Sequence, residues 1–202
     1  MTEQIQEVEP VLRLEDATIR FGGLTAVNSV SFDIMRGDLF GLIGPNGAGK
    51  TTCFNLITGV YKPTSGSIKF LGKEISGLPP NKIARAGICR TFQNIRLFSE
   101  LTALENVMVG AYLRHRTSVL SGLAYLPGAI RESEEMREKA RMLLDVVNLA
   151  GNESSRSSDM PYGRQRRLEI ARAMATDPEL LLLDEPAACM TTQETEYNRA
   201  GS

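Results

Sequence analysis

The stretch that most constrains this chain is the run Gly44-Pro45-Asn46-Gly47-Ala48-Gly49-Lys50-Thr51-Thr52. It fits the phosphate-binding loop pattern of Gly, four residues, Gly-Lys and Ser or Thr. Glycines let the backbone coil tightly, so that successive N–H groups and the N-terminus of the next helix point at phosphate oxygens. The apolar segment 39–43 suits a short buried strand, and residues 50–58 suit a helix. This order of strand, loop and helix is the context in which the motif binds a nucleotide.

The side chains of this loop have different expected roles. Lys50 is expected to reach the β- and γ-phosphates of a nucleotide, and the Thr51 hydroxyl is expected to bind Mg²⁺. The alternative is a glycine-rich turn without a ligand. On the first interpretation, the loop residues that contact the cofactor are Gly44, Asn46, Gly47, Ala48, Gly49, Lys50, Thr51 and Thr52.

Composition excludes several classes of function. A net charge of −1 over 202 residues argues against sequence-independent binding of nucleic acid, which draws on a basic surface. The three cysteines are widely spaced and form no C-x-x-C pair, so we expect a reducing cytosol and neither a disulfide framework nor a zinc site. The first ten residues are acidic and polar, unlike a signal peptide. The longest nearly apolar run, 119–130, falls well short of a bilayer span, so any membrane role is expected to come through a partner.

Hydrophobic periodicity and turn signals predict an α/β chain with a helical insert. The second strand alternates apolar Val30, Phe32 and Ile34 with polar residues, and the first two strands are expected to pair in an antiparallel layer. The last strand is continuously apolar, as in a buried parallel sheet. The predicted strands are Val11–Arg20, Val27–Ile34, Leu39–Ile43, Ser67–Leu71, Ile88–Phe92 and Leu180–Leu183, and the predicted helices cover residues 50–58, 81–86, 104–111, 136–147 and 163–176.

Two carboxylates follow the last predicted strand. Four leucines run into Asp184-Glu185-Pro186, the Walker B pattern, in which a buried strand delivers acidic side chains to the edge of a sheet. Asp184 is expected to hold the Mg²⁺ shell, and Glu185 to polarise the attacking water as general base. The alternative is an apolar strand that ends in a solvated acidic turn.

Two further side chains are weaker candidates. Gln93, where the strand 88–92 enters the helical insert, is a candidate contact to the metal or the water, and the alternative is a buried or capping glutamine. Phe21 ends the first strand and is a candidate for stacking on adenine, because an aromatic face binds a purine without hydrogen bonds. A core phenylalanine is the alternative.

Along the chain, Phe21, the phosphate-binding loop, Gln93 and the Walker B segment follow one another in an order that resembles that of ABC transporter ATP-binding subunits. The resemblance adds a signature-like segment, Met160–Arg167, in which Tyr162 and Gly163 are expected to contact nucleotide. Within that superfamily, the block Arg90–Phe98, the long insert after Ala111 and the pair Tyr162-Gly163 are similar to the branched-chain amino-acid importer subunits of the LivG type.

The resemblance implies a fold and a set of partners. The fold would be a P-loop nucleoside triphosphatase with a mixed, RecA-like sheet, an antiparallel β layer and a helical signature subdomain, the sheet being incomplete at the C-terminus. Two subunits would sandwich two ATP molecules with Mg²⁺ and drive a membrane permease that a periplasmic binding protein supplies. The chain would then lie on the cytoplasmic face of the membrane. The expected divisions are 1–10 as an extension, 11–93 with 168–188 as the nucleotide-binding core, 94–167 as the helical subdomain and 189–202 as a tail.

The chain also departs from the family pattern. Pro161 replaces the signature serine, Cys189 replaces a glycine after Walker B, and the only histidine, His115, precedes the signature. The leading hypothesis is an ATP-hydrolysing importer subunit, although we expect low turnover by this chain alone. Two alternatives remain, a nucleotide-binding module impaired in hydrolysis and the ATPase of another system such as lipopolysaccharide export.

Overall fold

The structure, a computed structural model, describes residues 9–91, 95–112 and 127–184. The chain divides into two compact units, with the boundary between Ile88 and Cys89. We call Met1–Ile88 the N-terminal unit and Cys89–Ser202 the C-terminal unit. The expected divisions of the chain stay a prediction.

The N-terminal unit is built on an antiparallel sheet of four strands in the order β2-β1-β3-β4. Burial on its central strand alternates at first, with Leu12 and Leu14 inside and Arg13 and Glu15 partly exposed, as a sheet with one covered face requires. The predicted antiparallel layer is therefore confirmed. The strands are β1 (Leu12–Phe21), β2 (Leu24–Ile34), β3 (Ser65–Phe70) and β4 (Lys73–Glu74).

A bulge interrupts the alternation in the middle of β1. Asp16 has a φ of 49°, and the pairing of β1 shifts register against both of its neighbours at this point. Side chains satisfy the displaced backbone, because the Asp16 N–H donates to Ser31 Oγ and the Ser29 N–H donates to Thr18 Oγ1, each at 2.8 Å. The bulge re-aims the second half of the strand, which ends at the exposed Phe21.

Two short helices complete the N-terminal unit, α1 (Lys50–Ile57) and α2 (Pro80–Ala86). The predicted strand over residues 39–43 is wrong. These residues have no regular secondary structure and belong to neither sheet, and Leu39 and Ile43 are exposed. Apolar composition alone does not make a strand, because the backbone must also find a neighbouring strand to pair with.

Strand β5 (Ile88–Arg90) begins with the last residue of the N-terminal unit and continues into the C-terminal unit. It pairs with β6 (Leu180–Leu182) of the C-terminal unit. The helices of that unit within the described residues are α3 (Ala103–Tyr112), α4 (Pro127–Val146) and α5 (Tyr162–Met174), with a short 3₁₀ turn at Ser157–Asp159. The three predicted helices are confirmed, and α4 begins nine residues earlier than its periodic residues indicate. The core that joins them includes Val107, Ala111, Ala140, Leu144, Leu168 and Ala171.

Buried polar side chains fix the loop that leads into α3. Asn106 is fully buried, accepts from the Phe98 N–H at 2.9 Å and donates to the Phe98 carbonyl at 3.1 Å. The Ser157 hydroxyl donates to the same carbonyl at 2.8 Å. Thr102 and Glu105 exchange hydrogen bonds at the start of the helix, which is the capping box arrangement. The loop at Phe98 is therefore held by hydrogen bonds both to α3 and to the 3₁₀ turn that precedes α5.

None of the helices within the described ranges is both long and apolar enough to span a membrane.

Gly110 tests the packing of α3 against α5. In an exposed helix, Gly→Ala stabilises by about 1 kcal/mol. Here a Cβ would lie 2.3 Å from the Arg172 carbonyl oxygen, so Gly110→Ala should lower the free energy of unfolding by about 1–3 kcal/mol, measured by denaturant titration. Gly23→Ala is the matched control, because its Cβ meets no described atom within 4 Å. Equal stability of the two variants would contradict the packing described here.

Candidate functional site: a phosphate-binding loop and a buried aspartate

The backbone of the phosphate-binding loop takes conformations that favour glycine. Gly47 and Gly49 have φ of 83° and 85°, in the left-handed region that other residues rarely adopt. The Ala48 N–H donates to the Pro45 carbonyl at 3.2 Å and closes a turn around Asn46 and Gly47. At Gly49 a Cβ would also lie 2.5 Å from the Ala26 carbonyl oxygen, so that position excludes any side chain.

The loop holds the side chain of Lys50. Its ammonium donates to the Gly44 carbonyl at 2.7 Å and to the Pro45 carbonyl at 2.9 Å. The side chain thus folds back across the loop. An ammonium has three N–H donors, so these two bonds leave capacity for a phosphate oxygen.

The N-terminus of α1 offers further donors. Gly49 precedes the helix in the left-handed conformation, and no side chain within the described residues caps it. The first N–H groups of a helix have no intrahelical acceptor and carry the positive end of its dipole. Thr51, in the first turn, is exposed. The residues present therefore fit the phosphate groups of a nucleotide.

Phe21 is not a core residue. It is 44% exposed at the end of β1, and its ring packs edge-on against Tyr61, with centroids 5.1 Å apart and planes at 73°. Tyr61 therefore supports the ring from one side. Stacking on adenine stays a prediction.

In the C-terminal unit, Asp184 lies two residues after β6 and is held from three directions. Arg90 Nη2 donates to its Oδ2 at 2.6 Å, and both side chains are only 10% exposed. The Asp184 N–H donates to Thr91 Oγ1 at 3.4 Å, and Arg166 Nη2 donates to its carbonyl at 2.5 Å. The backbone and the side chain of Asp184 are thus both fixed by neighbours.

Arg166 belongs to a buried ion pair on α5. Its Nη1 donates to Glu169 Oε2 at 2.5 Å, and both side chains are 3% exposed. Buried charges persist only when they are paired, and this pair leaves Nη2 of the guanidinium to donate to the Asp184 carbonyl. The signature-like segment is therefore connected to the end of β6 within one chain.

The signature-like segment Met160–Arg167 includes the first turns of α5. Pro161 precedes the helix, and no side chain of the described residues caps it. Tyr162 begins the helix and is 56% exposed, and Gly163 follows it. The Gln165 amide donates to the Met160 carbonyl at 2.8 Å and fixes the approach to the helix. The uncapped start of this helix suits an anion.

Two expected site residues, Gln93 and Glu185, lie outside the described residues. The structure adds two that the sequence did not indicate as site residues, Arg90 and Arg166. Both stand in segments that the motifs mark, but their partners lie 94 and 18 positions away along the chain. No local pattern predicts such pairs.

The two cysteines of the described residues, Cys53 and Cys89, are both partly or fully buried. Burial raises the pKa of the Cys53 thiol in α1 to about 11. Burial also raises the pKa of Cys89, which hydrogen bonds with Thr176 and the backbone of Arg90 only partly offset. Both groups are therefore protonated thiols near neutral pH, and a thiol is a poor nucleophile.

This chain matches the ABC transporter family model, relatives that are transport ATP-binding proteins, and a solved ATP-binding cassette of an ABC transporter. The protein-family model described as ABC transporter matches residues 27–188. BraF of Pseudomonas aeruginosa, a high-affinity branched-chain amino acid transport ATP-binding protein, is 49% identical over 191 residues, which cover 95% of this chain and 75% of that protein. LivG of Escherichia coli K12, with the same description, is 45% identical over 188 residues, which cover 93% and 74%. The ADP conformation of MJ1267, an ATP-binding cassette of an ABC transporter, has a TM-score of 0.75 at 34% identity and covers 93% of this chain and 73% of its own.

The buried pair on α5 predicts a large stability effect. Arg166→Leu leaves the Glu169 carboxylate buried without its partner, so we expect a loss of about 3–5 kcal/mol in the free energy of unfolding. Arg131→Leu is the control, because its pair with Glu135 on α4 is exposed and worth about 0.3–0.5 kcal/mol. Chemical denaturation measures both. Similar losses in the two variants would rule out a structural role for the Arg166 pair.

Proposed function

The chain belongs to the ABC transporter family of ATP-binding proteins, and on that premise we propose that it is the ATP-binding and ATP-hydrolysing subunit of an importer for branched-chain amino acids. The likeness to solved cassettes confirms the predicted fold class, a P-loop nucleoside triphosphatase with an antiparallel layer and a helical part. The observation that carries the proposal is the loop 44–52, with two left-handed glycines and the uncapped start of α1.

The loop's own groups account for nucleotide binding. Left-handed glycines and the two Lys50 hydrogen bonds support the loop conformation, which would offer preorganised N–H donors to the phosphates. Lys50 then donates to a phosphate oxygen from the position in which the Gly44 and Pro45 carbonyls hold it. We propose that the contacts to ATP are made by Gly44, Asn46, Gly47, Ala48, Gly49, Lys50, Thr51 and Thr52, with Phe21 on the adenine and Tyr162 and Gly163 on the nucleotide of a second subunit.

Asp184 is our candidate for the carboxylate that serves Mg²⁺. Magnesium in nucleotide sites is bound by one or two carboxylates together with substrate phosphates, and a single buried aspartate fits that donor set. Among the described residues no three acidic, cysteine or histidine side chains cluster, and phosphate oxygens would share the magnesium shell with Asp184. When bound, Mg²⁺ neutralises the phosphate charge. Thr51 and Gln93 are the further proposed ligands, and Glu185 the proposed general base.

The importer assignment rests on relatives. BraF and LivG are described as ATP-binding proteins of high-affinity branched-chain amino acid transport, and both cover more than nine tenths of this chain. We therefore propose that the chain assembles with a second ATPase subunit and with membrane permease subunits on the cytoplasmic face of the membrane. A periplasmic binding protein would deliver the amino acid to the permease.

Removing the loop lysine tests nucleotide binding. A charge-assisted hydrogen bond is worth about 1.5–3 kcal/mol, so Lys50→Ala should weaken ATP binding about 10- to 100-fold in calorimetric titration. Lys69→Ala is the matched control, because Lys69 pairs with Glu15 on the surface of the same unit and should leave the affinity unchanged. Equal ATP affinity of the wild type and Lys50→Ala would refute the assignment of this loop.

A further inference from the structure

The pair between Arg90 and Asp184 has a geometry that orients the carboxylate without occupying both of its oxygens. Arg90 Nη2 contacts Oδ2 at 2.6 Å, and no described group donates to Oδ1. The surface pair of Arg13 with Asp33 is different. There Nε and Nη2 of the arginine contact both carboxylate oxygens, at 2.9 and 2.8 Å, and the two side chains are 40% and 42% exposed.

Because Asp184 is buried, the Arg90 contact supplies its counter-charge and also orients its carboxylate. A carboxylate that is 10% exposed needs a counter-charge, and a guanidinium does not lose its own charge when buried. A single short contact from a charged donor fixes the position of one oxygen and thereby the rotation of the whole group. The second oxygen is then presented in one orientation.

The neighbouring residue fixes the backbone at the same point. Thr91 accepts from the Asp184 N–H through its hydroxyl, and its own N–H donates to the Leu182 carbonyl at 3.0 Å. Successive residues of one segment therefore hold the side chain and the main chain of Asp184.

We propose that Arg90 is a positioning residue that acts through Asp184, holding Oδ2 so that Oδ1 meets the magnesium shell of the bound nucleotide. Groups that hydrogen-bond a metal ligand from behind set its orientation, and losing them typically costs 10- to 100-fold in metal affinity. This inference rests on the proposed nucleotide function, and it assigns to Arg90 no contact with nucleotide.

The test separates magnesium dependence from nucleotide binding. A fluorescent ATP analogue is titrated with the full chain, first in EDTA and then against rising Mg²⁺. Arg90→Met should raise the half-saturating Mg²⁺ concentration at least about tenfold while leaving the affinity in EDTA unchanged. Arg90→Lys keeps a charge without the fork and should raise the concentration by less. Arg13→Met, which removes the exposed pair, should match the wild type.

The double variant shows whether Arg90 acts through Asp184. Asp184→Asn should itself raise the half-saturating Mg²⁺ concentration. Adding Arg90→Met to Asp184→Asn should raise that concentration no further. A purely structural arginine would instead lower the melting temperature in both backgrounds and leave the magnesium midpoint alone. Melting curves of every variant identify those that fold.

The outcomes for the two proposals are distinct. A wild type that binds no nucleotide in either condition overturns the proposed function and with it this inference. A wild type that binds nucleotide but shows no response to Mg²⁺ overturns the inference alone. So does a wild-type or lowered magnesium midpoint in whichever Arg90 variants fold.

Discussion

The burial of Asp184 is the constraint on which the C-terminal unit depends. A carboxylate at 8% exposure is tolerated only with a cation beside it, and Arg90 supplies that cation from β5. Arg166 binds the adjoining carbonyl from α5. One buried residue thus ties a strand, a helix and the signature-like segment together.

The N-terminal unit solves a different problem. Its loop has the left-handed glycines and the uncapped helix start that suit an anion. Left-handed glycines turn the chain, and Lys50 braces the turn through the Gly44 and Pro45 carbonyls. The same lysine is the proposed phosphate ligand, so a single side chain both stabilises the loop and is placed to bind phosphate. The antiparallel sheet behind the loop leaves no space at Gly49 for a side chain.

Sequence reasoning succeeded where the requirement is local. The glycines at 47 and 49, the helix from Lys50 and the antiparallel pair of β1 and β2 each reflect a few neighbouring residues, and the structure has them. It failed at residues 39–43, because a strand depends on a partner that composition does not reveal. It placed Asp184 correctly after a strand but missed the two arginines that hold it, since their pairing arises from folding and not from spacing. The sequence also left undecided whether Phe21 is a core residue, because its exposure depends on how β1 bends at Asp16.

Amide NMR of the chain with ATP and Mg²⁺ tests the central claim, that backbone N–H groups of this loop bind the phosphates. We predict that the largest shifts fall on Gly47, Gly49, Lys50 and Thr51, as phosphate oxygens accept from these groups. The amides of β3, including Lys69, should move little. Unchanged loop amides at saturating nucleotide, or shifts confined to other segments, would contradict the account.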